Sequence, residues 1–430
     1  MRIKQKTVLS ALCVLTIALA IAFLHPQPAR ALAAPTLLSP ADGYTVPPDT
    51  PLRFSGVTPK NTTVYFIVDG KVIGGVKTKT TKKPTAGFSF TPKKTFSSGK
   101  HTVQIQAVSN TEKSGTTLPQ TFRIPSTWPR RVDGILVPAN QANIVPVAVM
   151  IENLSIVRPQ SGLASASVVY ETLAEGGIPR LLAIFARTDM KKVGPVRSSR
   201  PYFVDWASEY QGAYLHAGGS RDALNEIGKV RLRSIDALVG KTAKYFFRAG
   251  KVASTHNLFT RGTLLKQVKS AFGLAEKKAS FRSWKFKNDP PLAKRPKQQK
   301  QLTIDFKSGA GYIVRYAYEQ STNSWLRFNG GKPHTDANYA KPTQIRAKNV
   351  IVQLVPKERI LDKKLRILLD ITGSGKGWLL QDGGLQRITW KKTSASARTL
   401  FFLQNGTEVN FNRGSTWIEV VPSNRTVVWK

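Results

Sequence analysis

The chain has 430 residues, 41% of them hydrophobic and 9% aromatic, which excludes an intrinsically disordered chain and predicts several globular domains. Its 65 basic and 25 acidic residues give a formal net charge of +40, which favours polyanions as partners. A generally basic proteome in the source organism would explain the same charge. A single cysteine excludes an intramolecular disulfide and a cysteine-ligated metal.

The N-terminus has the three parts of a secretory signal peptide. Residues 1–6 are basic, residues 7–24 are apolar, and residues 31–33, with the sequence ALA, fit the pattern of a cleavage site. We therefore expect a signal peptide at 1–33 and an exported chain, extracellular or associated with the cell envelope. The alternative is an uncleaved anchor, because the 18 apolar residues just suffice to span a bilayer.

The cysteine, Cys13, lies inside this apolar segment. A lipoprotein needs its cysteine at the far end of the segment, after small residues, whereas Leu12 precedes Cys13. We therefore expect that the chain is not a lipoprotein. Without residues 1–33 it keeps 61 basic and 25 acidic residues, a formal charge of +36.

Residues 34–127 predict a β-sandwich. Short alternating runs recur with turn residues every 8–12 positions, and Asp69-Gly70 between two β-rich runs indicates a hairpin. The opening SPADG at 39–43 and the strand GKHTVQIQAV at 99–108 resemble the immunoglobulin-like modules of bacterial surface proteins. That resemblance implies a fold and no function.

Residues 131–285 mix strands with helices and predict a central α/β or α+β domain. Buried-strand candidates are PVAVMIEN, GAYLHAG and the two halves of SVVYETLAEGGIPRLLAIFAR about a Gly176-Gly177 turn. The runs RPYFVDWASEY and SRDALNEIG predict helices. Residues 286–302 are basic and proline-rich, which predicts a linker, and residues 303–430 predict a C-terminal mainly-β domain.

Several long motifs resemble the family of bacterial envelope proteins typified by the YerB lipoprotein. In the central domain they are RPQSGLASASVVYETLAEGGIPRLLAIFA, KVGPVRSSRPYFVDWASEY, YLHAGGS and THNLFT. In the last domain they are WLRFNGGKPHTDA, AKNVIVQL, GSGKGWLLQDG and GSTWIEVVP. The resemblance covers about residues 131–430 and implies domains of unknown function, so the residues themselves must indicate the chemistry.

Glu171 and Glu175 are the first candidates for a site. Four residues apart, they point the same way on a strand or on a helix, and paired carboxylates suit general acid/base catalysis such as glycoside hydrolysis. Arg180 follows the turn and could neutralise one of them across the strands, or take part in binding a ligand.

Arg197, Ser198 and Arg200 precede a predicted helix. Arginines, backbone N–H groups and a helix dipole together would form an anion site. The alternative is that Ser199 caps the helix while the arginines pair with nearby acids.

Gly218, Gly219 and Ser220 join a strand to a helix. They depart from the nucleophile elbow G-x-S-x-G because Asp222 stands where its second glycine belongs. An anion cradle and a plain turn with Ser220 as the helix cap both remain open.

His216, His256 and Asn257 lie at the ends of apolar runs, where α/β domains place their sites. No H-x-x-x-H or H-x-H spacing occurs, so we expect no metal site. The alternative is a site that gathers His216 and His256 with Glu171 or Glu175. We expect no cofactor.

Together these residues favour one polar pocket for an anionic ligand in the central domain. The first hypothesis is a secreted or surface-associated protein that binds an anionic cell-wall polymer, a small anion or a membrane surface. The second is an envelope hydrolase or transferase that uses Glu171 or Glu175 with His216 or His256. Nucleic-acid binding rests on charge alone, because no aromatic-basic motif supports it.

Overall fold

The computed structural model describes residues 31–47, 50–93, 95–298, 300–341 and 343–430. The apolar segment 7–24 and Cys13 lie outside these ranges. None of the helices in the described ranges is both long and apolar enough to span a membrane. The described chain is mainly β and divides into two compact units, of which the first ends at Ile124 and the second runs from Pro125 to Lys430.

The first unit consists of two sheets around an apolar core. Its strands are β1 (Thr36–Ser39), β2 (Tyr44–Thr45), β3 (Phe54–Pro59), β4 (Thr63–Val68), β5 (Lys71–Lys77), β6 (Thr85–Phe90), β7 (Gly99–Val108) and β8 (Gln120–Ile124). One sheet has the order β1-β3-β6 and the other β2-β8-β7-β4-β5. Phe54 from the first sheet contacts Phe66 and Phe122 from the second, with ring centroids 5.6 and 5.9 Å apart.

The expected hairpin turn joins β4 to β5. Asp69 and Gly70 both have positive φ, 48° and 76°, as a type I′ turn requires. His101 on β7 is structural: its Nδ1 contacts Asp69 Oδ2 at 2.7 Å and its Nε2 the Ser97 carbonyl at 2.8 Å.

In its described residues the second unit contains the remaining strands, five α-helices and several short 3-10 helices. From 125 to 287 the strands are β9 (Trp128–Pro129), β10 (Leu136–Val137), β11 (Val147–Ile151), β12 (Val168–Leu173), β13 (Pro179–Phe185), β14 (Ala213–His216), β15 (Arg233–Asp236), β16 (Phe247–Arg248), β17 (Leu258–Phe259) and β18 (Lys285–Lys287). The helices are α1 (Ala139–Ala142), α2 (Pro201–Ser208), α3 (Arg221–Lys229), α4 (Gly240–Ala243) and α5 (Gly262–Ala271).

From 301 onward the chain is built from strands. They are β19 (Gln301–Asp305), β20 (Val314–Glu319), β21 (Ser324–Asn329), β22 (Lys332–Pro333), β23 (Thr335–Asp336), β24 (Thr343–Gln344), β25 (Arg346–Ala347), β26 (Asn349–Val355), β27 (Arg359–Ile360), β28 (Ile367–Leu368), β29 (Gly373–Gln381), β30 (Gly384–Lys392), β31 (Leu400–Leu403), β32 (Asn410–Asn412), β33 (Thr416–Pro422) and β34 (Thr426–Trp429).

Ten strands form one sheet through the middle of the second unit, in the order β15-β14-β11-β13-β12-β33-β26-β29-β30-β31. The late strand β33 lies between β12 and β26 and is parallel to both. All seven of its residues are buried, so insertion between two strands satisfies its backbone and its apolar side chains together. The regions expected to be separate central and C-terminal domains therefore share one sheet and one core.

The segment 286–302, expected to be a linker, is partly paired. Its first residues continue β18, which pairs in parallel with β32, and its last residues begin β19. The guanidinium of Arg295 donates to the carbonyls of Pro290, Gln320 and Ser321. Basic, proline-rich composition does not reveal such backbone pairing, because the paired groups lie far away in sequence.

A second sheet, of six strands, faces the buried carboxylates of the first. Its main path is β22-β21-β20-β19-β34, and β25 pairs with β21. Tyr316 on β20 donates to Glu419 on β33, and Arg327 on β21 donates to Glu171 on β12. The polar residues of the second unit therefore meet between two sheets.

Candidate functional site

A cleft of about 390 Å³ opens on the second unit, above the contact between the two sheets. It is lined by residues 155, 158–159, 311, 329–330 and 332–335, which come from segments far apart in the chain. Arg158 and Lys332 are cations, and none of the lining residues is acidic. Electrostatics therefore favours an anion in this cleft.

Arg158 is held rigidly at the edge of the cleft. Its Nε donates to Asn153 Oδ1 at 3.2 Å, its second terminal nitrogen to the Asn153 carbonyl at 2.8 Å, and its first to the Gly311 carbonyl at 2.6 Å. Its guanidinium carbon lies 5.0 Å from the centre of the Tyr312 ring. A cation fixed in this way loses little side-chain entropy when it binds a ligand.

Asn153 links Arg158 to the buried residues below. Its Oδ1 also accepts from Gln160 Nε2 and from Asn329 Nδ2, each at 3.1 Å. Its Nδ2 donates to Glu171 Oε1 at 2.9 Å. One amide thus connects the cleft with the carboxylate of Glu171.

Arg327 is the centre of the buried network. It donates to Glu171 and, through Nε, to the Tyr316 hydroxyl at 3.0 Å, while Nε lies 3.8 Å from Glu419 Oε1. Its guanidinium carbon is 4.5 Å from the centre of the Trp417 ring. Glu171, Arg327 and Glu419 have no exposed surface, so a single cation balances two buried carboxyl groups.

Of these two carboxyl groups, Glu419 is the one whose protonated form the surroundings favour. Burial and the neighbouring Glu171 raise the pKa of Glu419 well above its usual value, against the opposing effect of Arg327. Each oxygen of Glu171 accepts a hydrogen bond, one from Arg327 and one from Asn153, as the oxygens of a carboxylate do. The two glutamates are partners in register on β12 and β33.

His334 lines the cleft as a neutral imidazole. Arg327 can only donate, so the His334 Nδ1 that it contacts is an acceptor and the proton lies on Nε2. Nε2 donates to Gln160 Oε1 at 2.8 Å. Burial, and then the charges of Arg327 and Arg158, lower the pKa of His334 well below its ordinary value. Both nitrogens are engaged, so His334 offers no free base.

Glu175, four residues after Glu171, belongs to a different cluster. It lies near the turn between β12 and β13 and pairs with Arg180 at 2.9 Å and with Arg200 Nε at 2.7 Å. Although burial opposes them, the two arginines lower the pKa of Glu175 to about 2. Arg180 also donates to the Ser198 carbonyl at 2.8 Å. These expected ligand-binding residues therefore satisfy one another.

His216, Gly218, Gly219 and Ser220 lie together at the start of α3. His216 is buried between the Gly218 carbonyl at 2.8 Å and Ser234 Oγ at 2.7 Å, and burial lowers its pKa. The Gly218 N–H donates to Asp236, and Ser220 Oγ accepts from the N–H of Ala223 as the helix cap. Gly219 pairs with Ser199 in an isolated bridge. Protein acceptors thus occupy the stretch that could have formed an anion cradle.

His256 and Arg197 meet at Glu152, just beyond β11. His256 Nδ1 lies 2.9 Å from Glu152 Oε2, and Arg197 Nε lies 3.1 Å from Oε1. Asn257 accepts from Arg248 at 3.0 Å. The residues expected to form one pocket are therefore divided among several clusters, and none of them lines the cleft.

None of the residues that line the cleft was predicted from the sequence. In WLRFNGG, Trp325, Arg327 and Asn329 alternate with Leu326 and Phe328, so arginine and asparagine share a strand face with a buried tryptophan. This alternation is the sequence feature that could have indicated buried polar residues on this strand. Within the described ranges, no group of three or more His, Cys, Asp or Glu residues is placed to hold a metal ion.

Comparisons with known proteins agree with this architecture. Residues 134–275 match the family model "Protein of unknown function (DUF3048) N-terminal domain", and residues 302–418 match the corresponding C-terminal domain. The chain is 30% identical over 285 residues to "Putative lipoprotein YerB" of Bacillus subtilis, across 64% of this chain and 81% of that protein.

One solved structure shares the fold of the second unit's family. The crystal structure of YerB from Bacillus subtilis superimposes with a TM-score of 0.59 at 28% identity, across 69% of this chain and 98% of that one. Fibronectin(III)-like modules of Clostridium thermocellum CbhA match 21% of this chain and 92% of their own at 21% identity, and a TM-score of 0.15 is too low to indicate a shared fold.

One expectation needs correction, and one is confirmed. The expectation that the chain is not a lipoprotein is wrong, because this relative carries the name of a lipoprotein, and Cys13 lies outside the described residues. The resemblance to the YerB family is confirmed by both family models and by the relative. The chain belongs to the DUF3048 family and carries its N-terminal and C-terminal domains in that order.

Proposed function

We propose that this protein is associated with the bacterial cell envelope and binds an anionic ligand, such as a unit of an anionic wall polymer, in the cleft above Arg327. The observation that carries the proposal is the cleft itself, of about 390 Å³, with two cations and no acidic residue in its lining. Arg158 is fixed by three hydrogen bonds, and Lys332 is exposed with no ion-pair partner among the described residues.

The charge of the whole chain supports this proposal. A formal charge of +40 raises the local concentration of polyanions around the molecule and accelerates their encounter with the cleft. Most of the excess lies in the second unit: residues 125–430 contain 49 basic and 21 acidic residues.

Association with the envelope rests on the family. The relative from Bacillus subtilis is named a lipoprotein, a class of protein held at a membrane surface, and the first residues of this chain have the pattern of an export signal. The first unit, with its two sheets around a phenylalanine core, would serve as an immunoglobulin-like spacer. The mixed region at 131–285 would be the α/β part of the ligand-binding unit.

The contacts give little support to a hydrolase built on the expected glutamates and histidines. Glu171 and His216 are fully buried, and Glu175 is held in its charged form by two arginines. A general acid needs a proton to give and access to the substrate. Binding therefore accounts for the geometry better than acid/base chemistry.

The test is calorimetric titration of the chain from residue 31 to residue 430 with poly(glycerol phosphate), a phosphodiester polymer, at about 0.05 M and about 0.15 M salt. Lys332→Ala should weaken binding by about 3- to 10-fold, since one charge contact in a partly solvated site contributes about 1 kcal/mol. Lys285→Ala is the matched control, because Lys285 is also exposed and does not line the cleft.

The proposal fails if both lysine variants lose affinity equally, because binding would then follow net charge rather than the cleft. Duplex DNA of the same charge is the second titrant. Tighter binding to DNA than to the wall-type polymer, unaffected by Lys332→Ala, would move the function to nucleic acid.

A further inference from the structure

Asn329 is one of the residues that line the cleft, and its side chain carries an acceptor without a partner. Its side chain is 5% exposed, and its Oδ1 is buried with no hydrogen-bond partner in the structure. Buried carbonyl oxygens are rarely left without a donor, because such an atom loses its water and gains nothing in return. An unpaired acceptor in the lining of a cleft indicates a donor that arrives with the ligand.

The orientation of this amide follows from the charges below it. Glu171 accepts from Arg327 and can accept only an N–H group from Asn153, so Nδ2 of Asn153 must face it. Oδ1 of Asn153 then faces Arg158 Nε, which can only donate. Asn329 must therefore turn its own Nδ2 toward Asn153 Oδ1, at 3.1 Å, which leaves Oδ1 as the free atom.

Reversing the Asn329 amide would place two acceptor oxygens against each other. The assignment of its nitrogen and oxygen is therefore fixed by the ion pair of Arg327 and Glu171, through Asn153. The charged and imidazole side chains at the cleft cannot replace this acceptor: Arg158 and Lys332 only donate, and both nitrogens of His334 are engaged. The hydroxyl groups of Ser155 and Thr335 are the other side-chain acceptors in the lining.

We infer that the ligand of the cleft is a hydroxylated anion, in which a hydroxyl group near the carboxylate or phosphate donates to Asn329 Oδ1 while Arg158 and Lys332 bind the negative charge. Sugar acids and polyol phosphates have this chemistry, whereas simple fatty acids and inorganic anions do not. This inference rests on the proposed function of the cleft and makes Asn329 its specificity-determining residue.

Two pairs of probes, matched in charge and size, test the inference by calorimetry on the chain from residue 31 to residue 430. Glycerol 3-phosphate is compared with n-propyl phosphate, and glucuronate with cyclohexanecarboxylate. In at least one pair the hydroxylated member should bind about 10-fold more tightly, which corresponds to about 1.4 kcal/mol. The pair that shows the preference identifies the anionic group as phosphate or carboxylate.

Asn329→Ala should reduce this preference to less than about 2-fold, because the hydroxyl acceptor is lost. The variant also loses the donor to Asn153 Oδ1, and that loss acts on both members of a probe pair alike. Asn329→Ser, which keeps an acceptor oxygen, should retain part of the preference. The comparison of probes on the unaltered protein needs no variant, so a variant that fails to fold leaves the test intact.

The outcomes separate the two proposals. Equal binding of hydroxylated and plain anions, sensitive to Lys332→Ala, would overturn the inference and leave the anion site standing. If none of the four probes binds, the inference is overturned. If the polymer does not bind either, the proposed function is overturned too. A preference that persists unchanged in Asn329→Ala would assign the hydroxyl to another acceptor and overturn the role of Asn329.

Discussion

Two buried ionic networks in the second unit have opposite charge balance. Below the cleft, one guanidinium, that of Arg327, serves the two carboxyl groups of Glu171 and Glu419. In the other network one carboxylate, Glu209, accepts from Lys392 Nζ at 2.6 Å and from Arg398 at 3.1 Å. Both arginines lie over tryptophan rings: Arg327 is 4.5 Å from Trp417, and Arg398 is 3.7 Å from Trp284.

The difference in balance decides which acids keep a proton. Burial raises the pKa of Glu419 and the charge of Glu171 adds to the effect, because Arg327 cannot compensate two anions. Burial acts on Glu209 in the same direction, but Lys392 and Arg398 outweigh it and lower the pKa of Glu209. Equal burial thus accompanies a raised pKa for Glu419 and a lowered pKa for Glu209, because the neighbouring charges differ.

The two networks also differ in the residues that they connect. Glu209 ends within the core, at Thr399 Oγ1 at 2.6 Å and at the Tyr170 hydroxyl at 3.4 Å. Glu171 leads through Asn153 to Asn329 and the cleft. The network that is short of cations is therefore the one that orients a group facing a ligand, while the other joins α2 to the final strands of the sheet.

Arg327→Met should give the largest effect. It leaves Glu171 without its cation and His334 without its donor, so we expect a loss of about 3–5 kcal/mol in the free energy of unfolding. Lys392→Met should cost about 1–2 kcal/mol less, because Glu209 keeps Arg398 and Thr399.

Tryptophan fluorescence during urea unfolding measures this difference. All eight tryptophans lie between residues 128 and 429, so the signal reports the second unit alone. Equal losses in the two variants, or a larger loss in Lys392→Met, would contradict the argument from charge balance.

Glu171 and Glu419, the two acidic partners of Arg327, allow a matched comparison in which we expect a smaller effect on stability. Glu419→Gln replaces an acid whose neutral form is favoured with a neutral side chain of the same shape, so we expect a change below about 1 kcal/mol. Glu171→Gln places an N–H group against the donor of either Arg327 or Asn153, and it should cost about 2 kcal/mol more than Glu419→Gln.

The measurement is again urea unfolding at neutral pH, with circular dichroism to check that both variants fold. The reverse order, with Glu419→Gln the more damaging, would mean that the proton lies on Glu171. Near-equal losses would mean that the two carboxyl groups share it.

Much of the local structure of the second unit was predictable from the sequence. Pro201 at the start of α2, the Ser220 cap of α3 and the turn at Gly176-Gly177 all act between neighbours in the chain, and the structure has each of them. Arg180 likewise pairs with Glu175 across the β12–β13 hairpin, one of the alternatives that its position left open.

The partners of Glu171 were not predictable, because they depend on the order of strands. Glu419 follows Glu171 by 248 residues and becomes its neighbour only when β33 enters the sheet beside β12. Arg327 reaches the pair from the other sheet. Spacing in sequence therefore paired Glu171 with Glu175, whereas strand register pairs it with Glu419.

The pH dependence of stability should show the protonation of Glu419 most directly. Its pKa is raised in the folded state above the ordinary value of 4.5, so the folded protein binds more protons than the unfolded chain above that pH. This contribution to stability is present below pH 4.5 and is lost as the pH rises toward the raised pKa. Glu209 behaves in the opposite way, because its lowered pKa gives stability that is lost on acidification.

Comparison of Glu419→Gln with the unaltered chain isolates this effect. As the pH rises above 4.5, the difference in unfolding free energy should move in favour of the variant, by up to about 1.4 kcal/mol per pH unit, until the raised pKa of Glu419 is passed. Asp205, whose pKa burial raises to about 7, and His334 titrate alike in both proteins, so they cancel in the difference. Parallel pH curves would show that Glu419 binds no extra proton on folding, and the contrast between the two networks would then rest on geometry rather than on charge balance.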